Sequence, residues 1–150
     1  MKYQYTTTLA ANTKGKLAKR PLIEIDLMNG SRTVHAFGLI DSGADTTLMN
    51  IEYARDLGID LRSARTKEFL GIGNSRVPSF ITEIMIKVQH IDTIITTPVA
   101  FTESPSVDIL LGQEDFFECF RIKFEKDHDT FELTVSPKIK DVHREEVASR

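Results

Sequence analysis

A single cysteine, Cys119, rules out an intrachain disulfide, and the chain has no tryptophan. No window of the sequence is apolar for the length a transmembrane helix needs. Charge of one sign is not in excess: 19 basic and 22 acidic residues leave a net charge of −3. That balance gives no electrostatic reason to expect nucleic acid or an anionic membrane as a partner. Only four histidines occur, His35, His90, His128 and His143, far apart and without metal-ligand spacing, so no zinc site is expected. The N-terminal stretch lacks the apolar core of a secretion signal. With the scarcity of cysteine, this leads to the expectation of a cytoplasmic protein. No motif of a cysteine nucleophile flanks Cys119, which reads as a small buried hydrophobe.

What is present fits one domain. The 150 residues suffice for a single core, and 41% of them are hydrophobic. Residues 1–19 form a polar N-terminal extension in which Tyr3, Tyr5, Thr7 and Leu9 alternate with polar neighbours, as in an edge strand. "PLIEIDLMNG" alternates and ends in Asn29-Gly30, a hairpin signal. "RTVHAFGLI" returns as a strand. "NIEYARDLGI" has Asn50 as a helix cap and Gly58 as a stop. "TKEFLGIGNSRVPSFITEIMIKVQH" reads as two strands about a turn at Gly71 to Asn74. "IDTIITTPVAF" and "VDILLG" are further strands, and "QEDFFECF" is long enough for two helical turns. "RIKFEKDHDTFELTV" reads as a hairpin turning at Asp127 to Asp129. Residues 137–150 are a charged tail. The fold class is all-β with one or two short helices.

One stretch, "GLIDSGADTT", drives an apolar strand into a carboxylate. Aspartate is a poor strand residue and costly to bury. It either ends the strand at an ordinary Asx turn or is held at the floor of a cleft for chemistry. Two other features follow in order: Gly71-Ile72-Gly73, about thirty residues on, and Ile109-Leu110-Leu111-Gly112 ahead of a short helix.

With these segments, residues 20–136 resemble the retropepsin-like aspartic proteases. "RPLIEI", "LIDSGADTTLM", "FLGIG" and "DILLG" are each similar to a segment of the retroviral enzymes, in the same order. The closing "DILLGQEDFFECFRIKFEKDHDTFEL" looks more like the cellular and transposon branches of the family. The resemblance implies a closed β-barrel that forms one half of an acid protease and assembles as a C2 homodimer. It implies an aspartic endopeptidase with no cofactor and no metal, acting on a protein or peptide. Catalysis would fall to Asp41, Ser42 and Gly43. Substrate contacts would come from Ala44, Asp45, the flap residues Gly71, Ile72 and Gly73, and Leu110. Dimer contacts would involve Ser42 and an intersubunit pair of Arg20 with Asp45, and the terminal segments, the C-terminal hairpin more than residues 1–19.

Physical chemistry accounts for the dimer. This hydrolysis needs one carboxylate to activate water while another donates a proton. Two carboxyls about 3 Å apart cannot both ionise and so share a proton. One chain supplies one such aspartate, and a two-fold axis supplies the second. Each residue also has a plainer reading. Ser42 and Gly43 serve as turn residues, Asp45 as a solvated acid, and the Gly-rich hairpin as an ordinary hairpin. The sequence departs from the retroviral pattern at Asn74, at Pro78 and at Gln113, which stands where a second arginine is usual. A non-catalytic peptide-binding or assembly module on the same fold is the alternative function.

Overall fold

The computed structural model describes residues 1–70 and 72–139. Strands dominate: β1 (Lys2–Gln4), β2 (Thr6–Ala11), β3 (Leu17–Arg20), β4 (Leu22–Asn29), β5 (Arg32–Ile40), β6 (Thr47–Asn50), β7 (Arg65–Leu70), β8 (Arg76–Val88), β9 (Ile94–Thr102), β10 (Ile109–Leu111), β11 (Phe120–Glu125) and β12 (Thr130–Val135). One α-helix, α1 (Ile51–Asp56), follows β6, and short helical turns punctuate the loops.

Six strands close into a barrel. Its order is β4-β5-β10-β6-β9-β8, and β8 returns to β4. Two of the pairings are parallel, β5 with β10 and β6 with β9. β7 hangs outside the barrel on β8 alone. Alternation explains β4: Ile23, Ile25 and Leu27 point inward and are fully buried, while Glu24 and Asp26 face out. The turn falls one residue later than the Asn29-Gly30 signal: Asn29 pairs with Arg32, and Gly30-Ser31 form the two-residue loop, with Gly30 first at φ +58°. Ile84, Ile86, Val88, Val99, Phe101 and Leu111 complete the barrel core. Burying one such side chain contributes about 1.5–3 kcal/mol.

The chain ends build a second, three-stranded sheet in the order β1-β12-β11. Its Phe120, Phe131 and Leu133 join the main core, and Tyr3 stacks on Phe131. Among the described residues, β2 and β3 pair only with each other.

α1 begins where expected, with the Asn50 side chain accepting from Glu52 N. Two segments differ from the sequence reading. The polar extension holds two strands and contributes to a third, and the alternation from Tyr3 to Leu9 is broken at Tyr5, whose N–H bonds to Asp129 O. The two helical turns expected of Gln113–Phe120 are instead one wide, irregular turn over Gln113–Phe117. Glu114 (φ −63°, ψ 122°) and Asp115 (φ 61°, ψ −50°) leave helical geometry there. The turn closes through Phe117 N, which donates to Gly112 O at 3.3 Å, five residues back rather than the four of an α-helix.

Candidate active site

β5 delivers Asp41 to one end of the barrel. Its last residues pair in parallel with β10, Leu39 with Leu110 and Ile40 with Leu111. Asp41 N extends that ladder by one bond, to Leu111 O at 3.0 Å. The two strands approach closely because Gly38 has no side chain. A Cβ at Gly38 would lie 2.7 Å from Leu111 Cδ1.

Beyond Asp41 the chain turns at once. Ala44 N donates to Asp41 O at 3.2 Å, and Gly43 N donates to the Asp41 carboxylate at 2.9 Å. The carboxylate thus organises its own turn, as an Asx turn does, while remaining half-buried. A Cβ on Gly43 would sit 3.3 Å from Asp41 Oδ1 and crowd the carboxylate. Ser42, Gly43 and Asp45 are exposed, and Ala44 and Leu110 are half-buried.

The segment after β10 braces this loop from below. Gln113 N donates to Ala44 O at 2.8 Å and Glu114 N to Asp45 O at 2.9 Å. Gly112 N donates to the buried Thr47 hydroxyl at 3.1 Å. The Gln113 side chain donates to Ser42 O at 2.8 Å, and Thr46 Oγ1 donates to Glu114 at 3.3 Å. Gly112 lets the two segments touch: a Cβ there would fall 2.7 Å from Ala44 O and from Thr46 C and O. Further back, Asp108 accepts from the Tyr53 hydroxyl at 2.6 Å, and its carbonyl accepts from Asn50 N. Burial, then that carboxylate, push the Tyr53 hydroxyl well above its ordinary range.

The expected site residues are therefore placed as follows. Asp41, Ser42, Gly43, Ala44 and Asp45 form one continuous loop, with Leu110 on the neighbouring strand. Gly73 lies at the tip of the β7–β8 hairpin with φ +81°, followed by Asn74 at φ +61°. Gly71 and the side chain of Ile72 lie outside the described residues. Among the described residues, Arg20 and Asp45 form no ion pair within the chain. No group of three His, Cys, Asp or Glu side chains gathers as metal ligands among them either. Gln113 and Thr47 are the supporting residues that the sequence reading assigned no part. The signal for Gln113 was its place directly after Gly112, and Thr47 carried none.

A six-stranded barrel that ends a strand in Asp-Ser-Gly and braces it with a downstream Leu-Gly turn has the retropepsin-like fold. Solved structures carry the same likeness. The EIAV protease complexed with the inhibitor HBY-793 matches at 24% identity and TM-score 0.54, over 67% of this chain and 86% of that one. A retropepsin-like aspartic protease from Rickettsia conorii matches at 18% identity and TM-score 0.57, over 87% of this chain and 97% of that one. No protein-family model and no curated protein matches the chain.

Proposed function

We propose that the protein is an aspartic endopeptidase that works as a homodimer, with Asp41 of each copy forming the catalytic pair. The observation that carries this reading is the Asp41 carboxylate, half-buried at the end of β5 on a loop braced from two strands. A two-fold axis beside that loop sets the two carboxyls close enough to share one proton. The ionised partner takes a proton from water as it attacks the peptide carbonyl. The protonated partner supports the carbonyl oxygen, and a proton then passes to the leaving amine. The apparent acidities belong to the pair. Ser42 ties the two loops across the axis, Arg20 pairs with the partner's Asp45, and Gly43 and Ala44 leave room for a peptide backbone. Leu110 lines an apolar pocket, and the β7–β8 hairpin, with Gly71, Ile72 and Gly73, acts as the flap that closes over substrate.

Activity is expected to be highest at mildly acidic pH, because raising the pH strips the shared proton. The test is cleavage of a diverse unstructured peptide mixture from pH 4 to 8, read by mass spectrometry beside Asp41→Asn. Cuts made by wild type alone support the proposal, and equal cutting by the variant refutes it. The other reading, peptide binding without cleavage, is favoured by Pro78. This residue sits in register with Glu68 and removes a backbone donor from one arm of the hairpin. Peptide bound by wild type and never cut at any pH would establish that reading.

A further inference from the structure

The β2–β3 hairpin stands away from the body. From Thr6 to Arg20 only Thr8 and Ala18 are even half-buried. Its base is fixed, by Lys19 to Asp129 at 3.3 Å and by Tyr5 N to Asp129 O. Among the described residues no other hydrogen bond or ion pair ties it to the body. Leu9 is 97% exposed and Leu17 is 54% exposed. Ala11 pairs directly with Leu17, so these two share one face of the ribbon, and Leu9 projects from the irregular stretch between Thr7 and Ala11. A two-stranded ribbon with no sheet or helix behind it is marginal in water, and an apolar face on it calls for a cover.

Charge points to what covers it. Residues 1–20 carry five cations, Lys2, Lys14, Lys16, Lys19 and Arg20, and no acid. The remaining chain holds 14 basic against 22 acidic residues. Four of its acids lie together next to the loop that bears Asp41. Glu83, Glu114 and Glu118 crowd the Asp115 carboxyl, and among the described residues none of the four joins an ion pair. Glu114 adjoins Asp45 through its backbone bond.

We propose that the β2–β3 hairpin is an arm with which each copy grips the acidic barrel end of a second copy, Leu9 and Leu17 against the partner and Lys14 and Lys16 toward its Glu83, Asp115 and Glu118. The proposal rests on the two-copy reading above, in which Arg20, the last residue of the arm, meets Asp45 of that same end. The arm gives the pair a grip separate from the loops around Asp41, and it couples tightness of the pair to ionic strength.

The experiment measures the dimer dissociation constant of the full chain by sedimentation. Three variants are compared with wild type: Leu9→Asp with Leu17→Asp; Lys14→Glu with Lys16→Glu; and Glu83→Lys with Glu118→Lys. Each is checked for an unchanged circular dichroism spectrum. Leucine burial predicts that the first variant raises the constant at least about tenfold. Each charge-reversed variant should pair weakly with itself, and mixing the two should restore a dimer. A wild-type dimer whose constant none of these variants alters overturns the arm and leaves the two-copy reading standing. A wild type that stays monomeric at about 100 µM overturns both, because a working pair needs affinity in that range. Unaltered dimer constants with loss of binding to phosphatidylserine vesicles would overturn the arm in favour of a membrane surface.

Discussion

Replacing Gly112 by alanine tests whether the Asp41 loop is held by contact between two segments. Gly112 sits at φ −105° and ψ −175°, a conformation alanine adopts freely, so the substitution carries no backbone penalty of its own. Its cost is the methyl group, which would lie 2.7 Å from Ala44 O and from Thr46 C and O. Backbone atoms of a braced loop cannot swing aside as a flexible side chain can. Crowding of this kind costs about 1–3 kcal/mol. Separation of the segments also lengthens the bonds from Gly112 N, Gln113 N and Glu114 N, each worth about 1 kcal/mol net. Strain and lost bonds trade against each other, so the expected total is about 2–4 kcal/mol. For a chain of this size that lowers Tm by about 6–12 °C. Thermal unfolding by circular dichroism measures it, and hydrogen exchange should show the Gln113 and Glu114 amides losing protection. A Tm within about 2 °C of wild type, with both amides still protected, would refute the reasoning.

Thr47→Val keeps the shape of a fully buried residue but removes the acceptor for Gly112 N, so urea unfolding should show a loss of about 1–3 kcal/mol. The Cys119 thiol is buried, and burial, then Asp115 and Glu118, push it up to about 11. Iodoacetamide at pH 8 should therefore leave native protein unlabelled and label it promptly in denaturant, and fast native labelling would contradict that placement. His35 lies 2.9 Å from Asp26 and 3.4 Å from Glu24, and the Asp26 hydrogen bond leads the influences that raise it. Its NMR titration midpoint should lie above 6.5, and Asp26→Asn should lower it. The raised value means that this ion pair supports the fold fully below the unfolded midpoint and fades as pH rises through the folded one.

Much of the barrel was legible because its signals are local. The alternation of β4, the Asn29-Gly30 signal and the Asn50 cap each act within a few residues. The Asp41 loop was legible for another reason: an aspartate at the end of an apolar strand violates local preference, and such violations collect at functional sites. What escaped was set by distant partners. The donors of Gln113 and Glu114 reach Ala44 O and Asp45 O, roughly seventy residues earlier, and no residue near them in sequence marks that brace. The alternation through Thr7 and Leu9 announced one strand, and nothing in residues 10–20 announced its partner. Their pairing rests on backbone bonds and on polar side chains, Thr8 to Ala18 O and Asn12 to Lys14 N and Lys16 N, with no buried face to leave an apolar period.

The brace on the Asp41 loop also fixes when the loop can exist. Asp41 N waits for Leu111 O, 70 positions later, and Ala44 O and Asp45 O wait for Gln113 and Glu114. A ribosome adding about 5–20 residues per second leaves the loop unbraced for several seconds. Pairings this far apart in sequence form late, after the hairpins between them have closed. A chain still being made, or one cut short before Gly112, carries the Asp-Ser-Gly motif without the shape that gives it meaning. The order of synthesis thus sets the order of folding: the carboxylate reaches its braced position only on a chain whose barrel is already complete.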